Sequence, residues 1–501
     1  MKRFYEILPA ALSWLTIILM VIVSWQLPFW AAIFIILFDI YWLLKTLYLS
    51  LHLRATFNKM REVLKTNWKE KLAELRTNVK IPFSSDQIYH LIILPTYNEP
   101  YEIIRETFES LKQSNYQKEK LVAVLAIEER AGNQALEISR KIESEYAKYF
   151  SRFLITIHPI NLPGEIPGKG SNETWALKKA KEQIIDPLKI NYDKILVSVF
   201  DIDTHVSPDY FNRLSYVFLT TENRQRFIYQ PIPLFINNIF QAPALARVVA
   251  FSSTFWQMMQ QARPERLTTF SSQSIPLMIL LDVGYWKTDA VSEDSMIFWQ
   301  GYLHYHGEFG VMPLYFPLSM DANTAPTFWK SMKNLYKQQR RWGWGVENVP
   351  YVLDGFSKDP LIPRSKKIYW TFNLIEGFHS WATNALIIFA LGWLPVLIGG
   401  SAFNHTLLSY SLPTITRWLM TLSMVGIISS AIVNLALLPP KPSWFRWYHY
   451  FLYFLQWLLM PITLIIFGAF PGLESQTRLA LGGKFRLGFW VTPKMRKLND
   501  E

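Results

Sequence analysis

Residues 194–203 read KILVSVFDID, and this stretch decides the fold. The apolar run Ile195–Phe200, rich in β-branched side chains, predicts a buried strand over Lys194–Asp201. It ends in two carboxylates, Asp201 and Asp203, set at i and i+2 where strand becomes loop. Working upstream, Tyr89–Pro95, Leu121–Ile127 and Phe153–His158 read as further strands. Helical patterns at Ile103–Gln113 and Gln134–Tyr149 alternate with them, which predicts a mainly parallel α/β sheet. Ligands of such sheets bind beyond the carboxyl ends of the strands. Three polar clusters fall there: Pro95–Glu99, Glu128-Glu129-Arg130 and Asp201–Asp203.

Composition sets the surroundings of this domain. The 501 residues allow two to four domains; half are hydrophobic, 20 are Trp and only 18% are charged, which suits a chain part soluble and part membrane. A net charge of +12 is compatible with nucleic acid, but beside long apolar runs it fits cytoplasmic Lys and Arg better, so no nucleic-acid partner is expected. There is no Cys, which excludes disulfides, thiolate metal sites and Cys nucleophiles.

Pro9–Leu27 and Phe29–Leu51 are consecutive apolar runs with no small-residue cleavage site between them, so a transmembrane hairpin is expected rather than a signal peptide. Lys2, Arg3, Lys45 and Arg54 place both its ends in the cytoplasm. Three more runs follow, at Trp381–Ile398, Trp418–Leu438 and Phe451–Phe470. The loop 401–414 is uncharged, whereas residues 474–501 hold six Lys/Arg against three carboxylates. A cytosolic tail then requires an even number of crossings, and Pro461 marks the third run as a re-entrant or broken helix. Residues 326–350 are amphipathic, with Phe328, Trp329, Met332, Leu335 and Tyr336 on one side, as in a helix at the cytoplasmic membrane surface.

Five groups of residues carry chemistry. Asp201 and Asp203 suit a hard cation, Mg²⁺ or Mn²⁺, that completes its shell with substrate phosphate and water. Lys169-Gly170-Ser171-Asn172 ends a glycine-bearing loop before a helix expected to begin at Glu173; Lys169 suits a phosphate there. Glu293-Asp294 lies among apolar and aromatic residues, where an acid's pKa rises and it serves as a general base. Asp294 is the expected base, and Ser292-Glu293-Asp294 equally reads as a helix start. Gln338-Gln339-Arg340-Arg341-Trp342 puts Gln338 and Arg341 on one helical face, a cation for a departing diphosphate beside an indole plane for a sugar. Phe489-Trp490-Val491-Thr492-Pro493-Lys494 follows three glycines and reads as a hinged loop carrying a hydroxyl and an ammonium.

In this order the motifs resemble those of the membrane-embedded processive glycosyltransferases of family 2, bacterial cellulose synthase and the hyaluronan-type synthases among them. The resemblance covers residues 87–350 and the tail. It implies a Rossmann-like GT-A catalytic domain in the cytosol, inserted between transmembrane helices. It puts Thr96, Tyr97 and Glu99 near the uracil, with Glu128, Lys169, Asp201, Asp203, Gln338, Thr492 and Lys494 around the rest of the donor. Asp203, with Asp201, takes the metal; Asp294, Glu293 and Arg341 are catalytic; Trp342 floors the acceptor site. The family has an Asp pair where this chain has Glu128-Glu129. No β-barrel for cyclic di-GMP follows the tail, so regulation by that nucleotide within this chain is not expected, nor is a complete single-chain translocation pore.

The expected division is a transmembrane hairpin at 1–52, a helical connector at 53–85, the catalytic domain at 86–325, an interface helix at 326–366, a transmembrane region at 367–473 and a cytosolic tail at 474–501. The expected activity is inverting sugar transfer at the inner or plasma membrane from a UDP-sugar, UDP-glucose first. Its partners are the nucleotide sugar, membrane lipids and a growing β-linked glycan. Single transfer to a lipid acceptor and a non-enzymatic membrane scaffold are the alternatives.

Overall fold

The computed structural model describes residues 1–78, 81–493, 495 and 496. Eight strands form one sheet: β1 (Tyr89–Thr96), β2 (Leu121–Glu128), β3 (Arg152–His158), β4 (Ile195–Val199), β5 (His205–Val206), β6 (Phe227–Phe235), β7 (Gln273–Pro276) and β8 (Gly310–Met320). Their order is β3-β2-β1-β4-β7-β6-β8-β5. The half from β3 to β4 is wholly parallel, as expected. The other half is mixed, because β7 runs antiparallel to both β4 and β6, and β5 antiparallel to β8. Six of the eight strands run the same way, so the sheet is mainly parallel as expected, with β7 and β5 as the antiparallel exceptions. β7 is four residues, Gln-Ser-Ile-Pro, too short to register as a strand in the sequence.

Alternation along the central strands fills two cores. Leu91 and Ile93 of β1, Val122 and Val124 of β2, and Val197 of β4 face one side with Ala176 and Leu177. Ile92, Leu94, Ala123, Leu125 and Leu196 face the other with Phe108. Both faces are covered, which is why these strands read as unbroken apolar runs rather than as a polar–apolar alternation. The parallel register sets Thr96 beside Ile127, and Ile93 beside Val199. The carboxyl ends of β1, β2 and β4 thus share one edge of the sheet. β8 runs parallel to β6, and two antiparallel steps relate β6 to β4, so Asp321 emerges at the same edge.

Among the described residues, four helices are long and apolar enough to cross a membrane: Lys2–Gln26, Pro28–Lys65, Leu407–Leu437 and Trp447–Leu481. Arg364–Phe389 and Leu391–Ile398 pass the same test together but are bent by 45°. Ile18, Ile22, Trp30, Leu37 and Leu44 stand exposed on the outside of the first two, an arrangement that suits lipid. The break expected at Pro461 is absorbed by a 3₁₀ turn (Gln456–Leu459) and a π turn (Ile465–Ala469) within one continuing helix. The sharp bend lies instead at Ala390. The second helix runs unbroken past residue 52 to Lys65. The amphipathic segment forms a helix at Phe328–Gly343, where Met332 and Leu335 are buried and Phe328 and Trp329 exposed. Its Arg340 and Tyr336 side chains donate to Glu474, at 2.7 and 2.9 Å.

Candidate active site

Beyond the shared strand ends lies a cavity of about 1380 Å³. Thr96, Tyr97, Glu99, Glu128, Lys169, Asp201, Asp294, Gln338, Arg341, Trp342 and Thr492 all line it. Glu293 and Asp203 sit just behind the wall, 2% and 0% exposed. Lys494 lies outside the described residues. The cavity continues between the long helices, where Trp42, Trp256, Trp381, Trp393 and Trp457 face it.

Each wall residue is held by the element that delivers it. At the end of β1, Glu99 accepts hydrogen bonds from the Thr96 hydroxyl and the Tyr97 N–H, both at 2.7 Å, closing the turn on itself. At the end of β2, Glu128 receives Arg130 in a bidentate pair (2.6 and 3.0 Å), and that guanidinium lies 4.5 Å from the centre of the Tyr97 ring. Glu129 points away and accepts from the Ile160 N–H at 2.9 Å. Burial thus separates two adjacent acids that the sequence treats alike.

After β4, Asp201 pairs with Lys169 at 2.8 Å and accepts from the Ser271 hydroxyl at 2.5 Å. Asp203 turns inward, its Oδ2 accepting from the Asp321 N–H at 3.0 Å. The helix carrying Lys169 spans Lys169–Ala180, four residues earlier than the glycines suggest. Its first turn is buried, and a Cβ at Gly170 would stand 2.9 Å from the Glu293 Cβ and 2.8 Å from the Lys287 carbonyl oxygen. Close packing therefore requires a glycine in a helix, overriding its poor propensity.

Glu293 and Asp294 open a helix, Glu293–His304. Its start is fixed from below by Glu347, whose Oε1 accepts from the N–H groups of Val291 and Ser292 and from the Ser292 hydroxyl, at 2.9, 2.8 and 2.6 Å. Trp344 donates to the other oxygen at 2.9 Å. Burial holds the Asp294 carboxyl above the ordinary aspartate range, with Lys169 and Arg341 opposing and Asp201 reinforcing the rise. Burial and the neighbouring Asp294 push Glu293 well above its ordinary range. For Lys169, burial opposes the charge, but Asp201, Glu173, Glu293 and Asp294 outweigh it and hold the proton well above the usual lysine range.

The tail supplies part of the cavity wall, through Phe489, Val491 and Thr492. Phe489 lies 5.0 Å from the Arg341 guanidinium, and a Cβ on Gly168 would sit 2.7 Å from its ring. Lys337 lies 5.2 Å from the Trp490 ring centre. Thr324 donates to the Met495 carbonyl at 2.5 Å, and Arg496 forks onto Asp321 and pairs with Glu106. Gly168→Val is expected to lift Phe489 off this seat and raise the rate of tryptic cleavage after Arg486 on the order of tenfold, as loss of an aromatic contact requires. Timed digestion followed by mass spectrometry checks it.

Ser271, Asp321, Glu173 and Glu347 join the site without having been expected. Asp321 had a cue, since it follows a strand end just as Asp201 does. Glu347 had none, because its contacts span 55 residues.

A hard divalent ion is tested by the donor set. Asp201, Asp203 and Asp321 offer carboxylate oxygens at one sheet edge, but among the described residues no group of three or more His, Cys, Asp or Glu converges to hold an ion. Such donors fit Mg²⁺ or Mn²⁺ only as an ion that draws further ligands from phosphate and water, which is how Mg²⁺ is usually held.

No protein-family model matches the chain, and no curated protein matches it. Among solved structures, the mannosyltransferase PcManGT from Pyrobaculum calidifontis, in complex with GDP-Man and Mn²⁺, is 13% identical with a TM-score of 0.39, covering 77% of this chain and 99% of that one. S. aureus TarS 1–349 in complex with UDP-GlcNAc is 14% identical with a TM-score of 0.36, covering 69% and 90%. Likeness this slight assigns neither fold nor activity.

Proposed function

We propose that this chain is a membrane-embedded, inverting glycosyltransferase with a GT-A domain on the cytosolic face, building a β-linked glycan from a UDP-sugar, UDP-glucose first. The observation that carries the reading is that these residues share one cavity. Its wall bears a half-buried acid, two cations and an indole beyond the strand ends, and it continues, lined by Trp, between helices long enough to cross a membrane.

In this reading Asp294 accepts the proton of the acceptor hydroxyl as that oxygen attacks the anomeric carbon. The bond from that carbon to the diphosphate oxygen breaks, and its electron pair leaves with the nucleoside diphosphate. Arg341 and Lys169 stabilise the departing charge. Direct displacement inverts the centre, giving a β-linkage from an α-linked donor. Asp201 and Asp203, with Asp321 beside them, would hold a divalent ion, which supplies positive charge to the diphosphate when bound. Trp342, 5.9 Å from Phe235, offers a sugar its ring face, and the turn Thr96–Glu99 meets the base. The Trp lining of the inner cavity favours a sugar chain over a lipid acceptor, because indole planes stack on pyranose C–H faces.

The purified full chain, given a panel of radiolabelled sugar nucleotides with Mg²⁺ or Mn²⁺, is expected to use one donor and yield a ladder of products. EDTA is expected to cut the rate on the order of a hundredfold or more, restored by excess metal. A single-addition lipid product would end the polymer reading, and no transfer from any donor would end the enzymatic one.

A further inference from the structure

Glu173 is a buried acid that none of the steps above uses. It lies one helical turn beyond Lys169 and is 1% exposed, and its Oε1 stands 3.5 Å from the Lys169 ammonium. Lys169 reaches the cavity wall and Glu173 does not. The ammonium therefore lies between two acids of different kinds. Asp201, at 2.8 Å, is on the wall where a ligand arrives, while Glu173 is behind it and inaccessible. The other charged groups acting on this pair are Glu293 and Asp294. Burial pushes the Glu173 carboxyl up to about 8 and Lys169 opposes that rise, so in this place the charged form depends on the ammonium beside it. A glutamine of nearly the same shape would fill the space without that dependence.

We propose that Glu173 is a positioning residue for Lys169, the rear tether that keeps the ammonium in the site when an incoming nucleoside diphosphate draws it off Asp201. Without donor, Lys169 neutralises Asp201. When the diphosphate enters, Lys169 turns from Asp201 to a phosphate oxygen, and Glu173 limits the swing. The inference rests on the nucleotide-sugar reading above and adds to it a residue that touches no substrate.

The test is a double-mutant cycle on the full chain in detergent, with UDP and GDP as probes in the presence of Mn²⁺. Glu173→Gln is expected to weaken binding of the preferred diphosphate about tenfold while leaving the melting temperature nearly unchanged. In a Lys169→Met background the same substitution is expected to change nothing, because the residue it positions is gone. A purely structural glutamate would give equal losses in both backgrounds, and that result would overturn the proposal, as would wild-type affinity in Glu173→Gln. Should Glu173→Gln fail to fold, Glu173→Asp keeps the charge and withdraws it by one methylene; roughly threefold weaker binding supports the tether, and unchanged binding sinks it. If the wild type binds neither diphosphate, the functional reading beneath the proposal falls with it. Binding that ignores Glu173 removes this proposal alone.

Discussion

Asp294→Asn is expected to lower kcat on the order of a thousandfold while leaving affinity for the nucleoside diphosphate within about threefold. The side chain lies on the cavity wall at the head of a helix, and its Oδ1 accepts the Ser295 N–H at 2.8 Å. Its backbone carbonyl is pinned by Thr269 and Gln273, at 2.7 and 3.1 Å, so the amide replacement keeps its place and loses only the ability to take a proton. The sign of the pH dependence follows from the same environment. Burial raises the folded-state pKa, so the base is protonated, and kcat/KM falls, as pH drops through a value above the ordinary aspartate range. Residual activity of the Asn variant is expected to lack that acid limb. A pH–rate profile of both proteins checks it, and wild-type turnover in the variant would remove Asp294 as the base.

Arg341→Ala is the second large effect, a loss in kcat of roughly a hundred- to a thousandfold. The guanidinium acts on Asp294 and Glu293 through space, and among the described residues its buried Nε has no hydrogen-bond partner. A buried donor beside a cavity is suited to a charge that develops only when the leaving group departs. Phe489 lies against it at 5.0 Å, so the variant also loosens the tail. Arg341→Lys is expected to recover less than a tenth of the loss, since an ammonium restores charge but not the planar fork or the stacking surface. Steady-state kinetics together with diphosphate binding separates the two contributions: retained binding with lost turnover places the effect on the departing charge.

The central strands were legible because β1, β2 and β4 are buried on both faces and so appear as continuous apolar runs bounded by charge. The acids at their ends were legible because a carboxylate right after such a run has few structural uses. β7 and the tail's seat were not legible. Four residues are too few to show a period, and the fit of Phe489 on Gly168 joins residues 321 apart in sequence. The start of the Lys169 helix was misplaced for a related reason. Gly164, Gly168 and Gly170 weaken local helix propensity, whereas contact with Glu293 and Lys287 decides the matter at Gly170.

Local side-chain chemistry by itself determined the strand runs, the long apolar helices and the stock of acids, cations and Trp. Those depend on periods of two to four residues, which a linear chain displays. Only the tertiary structure decided that Glu128 rather than Glu129 meets the cavity, that Glu173 backs Lys169, and that Glu347 fixes the helix bearing Asp294. Strand order and helix docking decide which side chains face the cavity, so Glu128 and Lys169 line it while Glu129 and Glu173 do not, and they bring Glu347 to Ser292 across 55 residues.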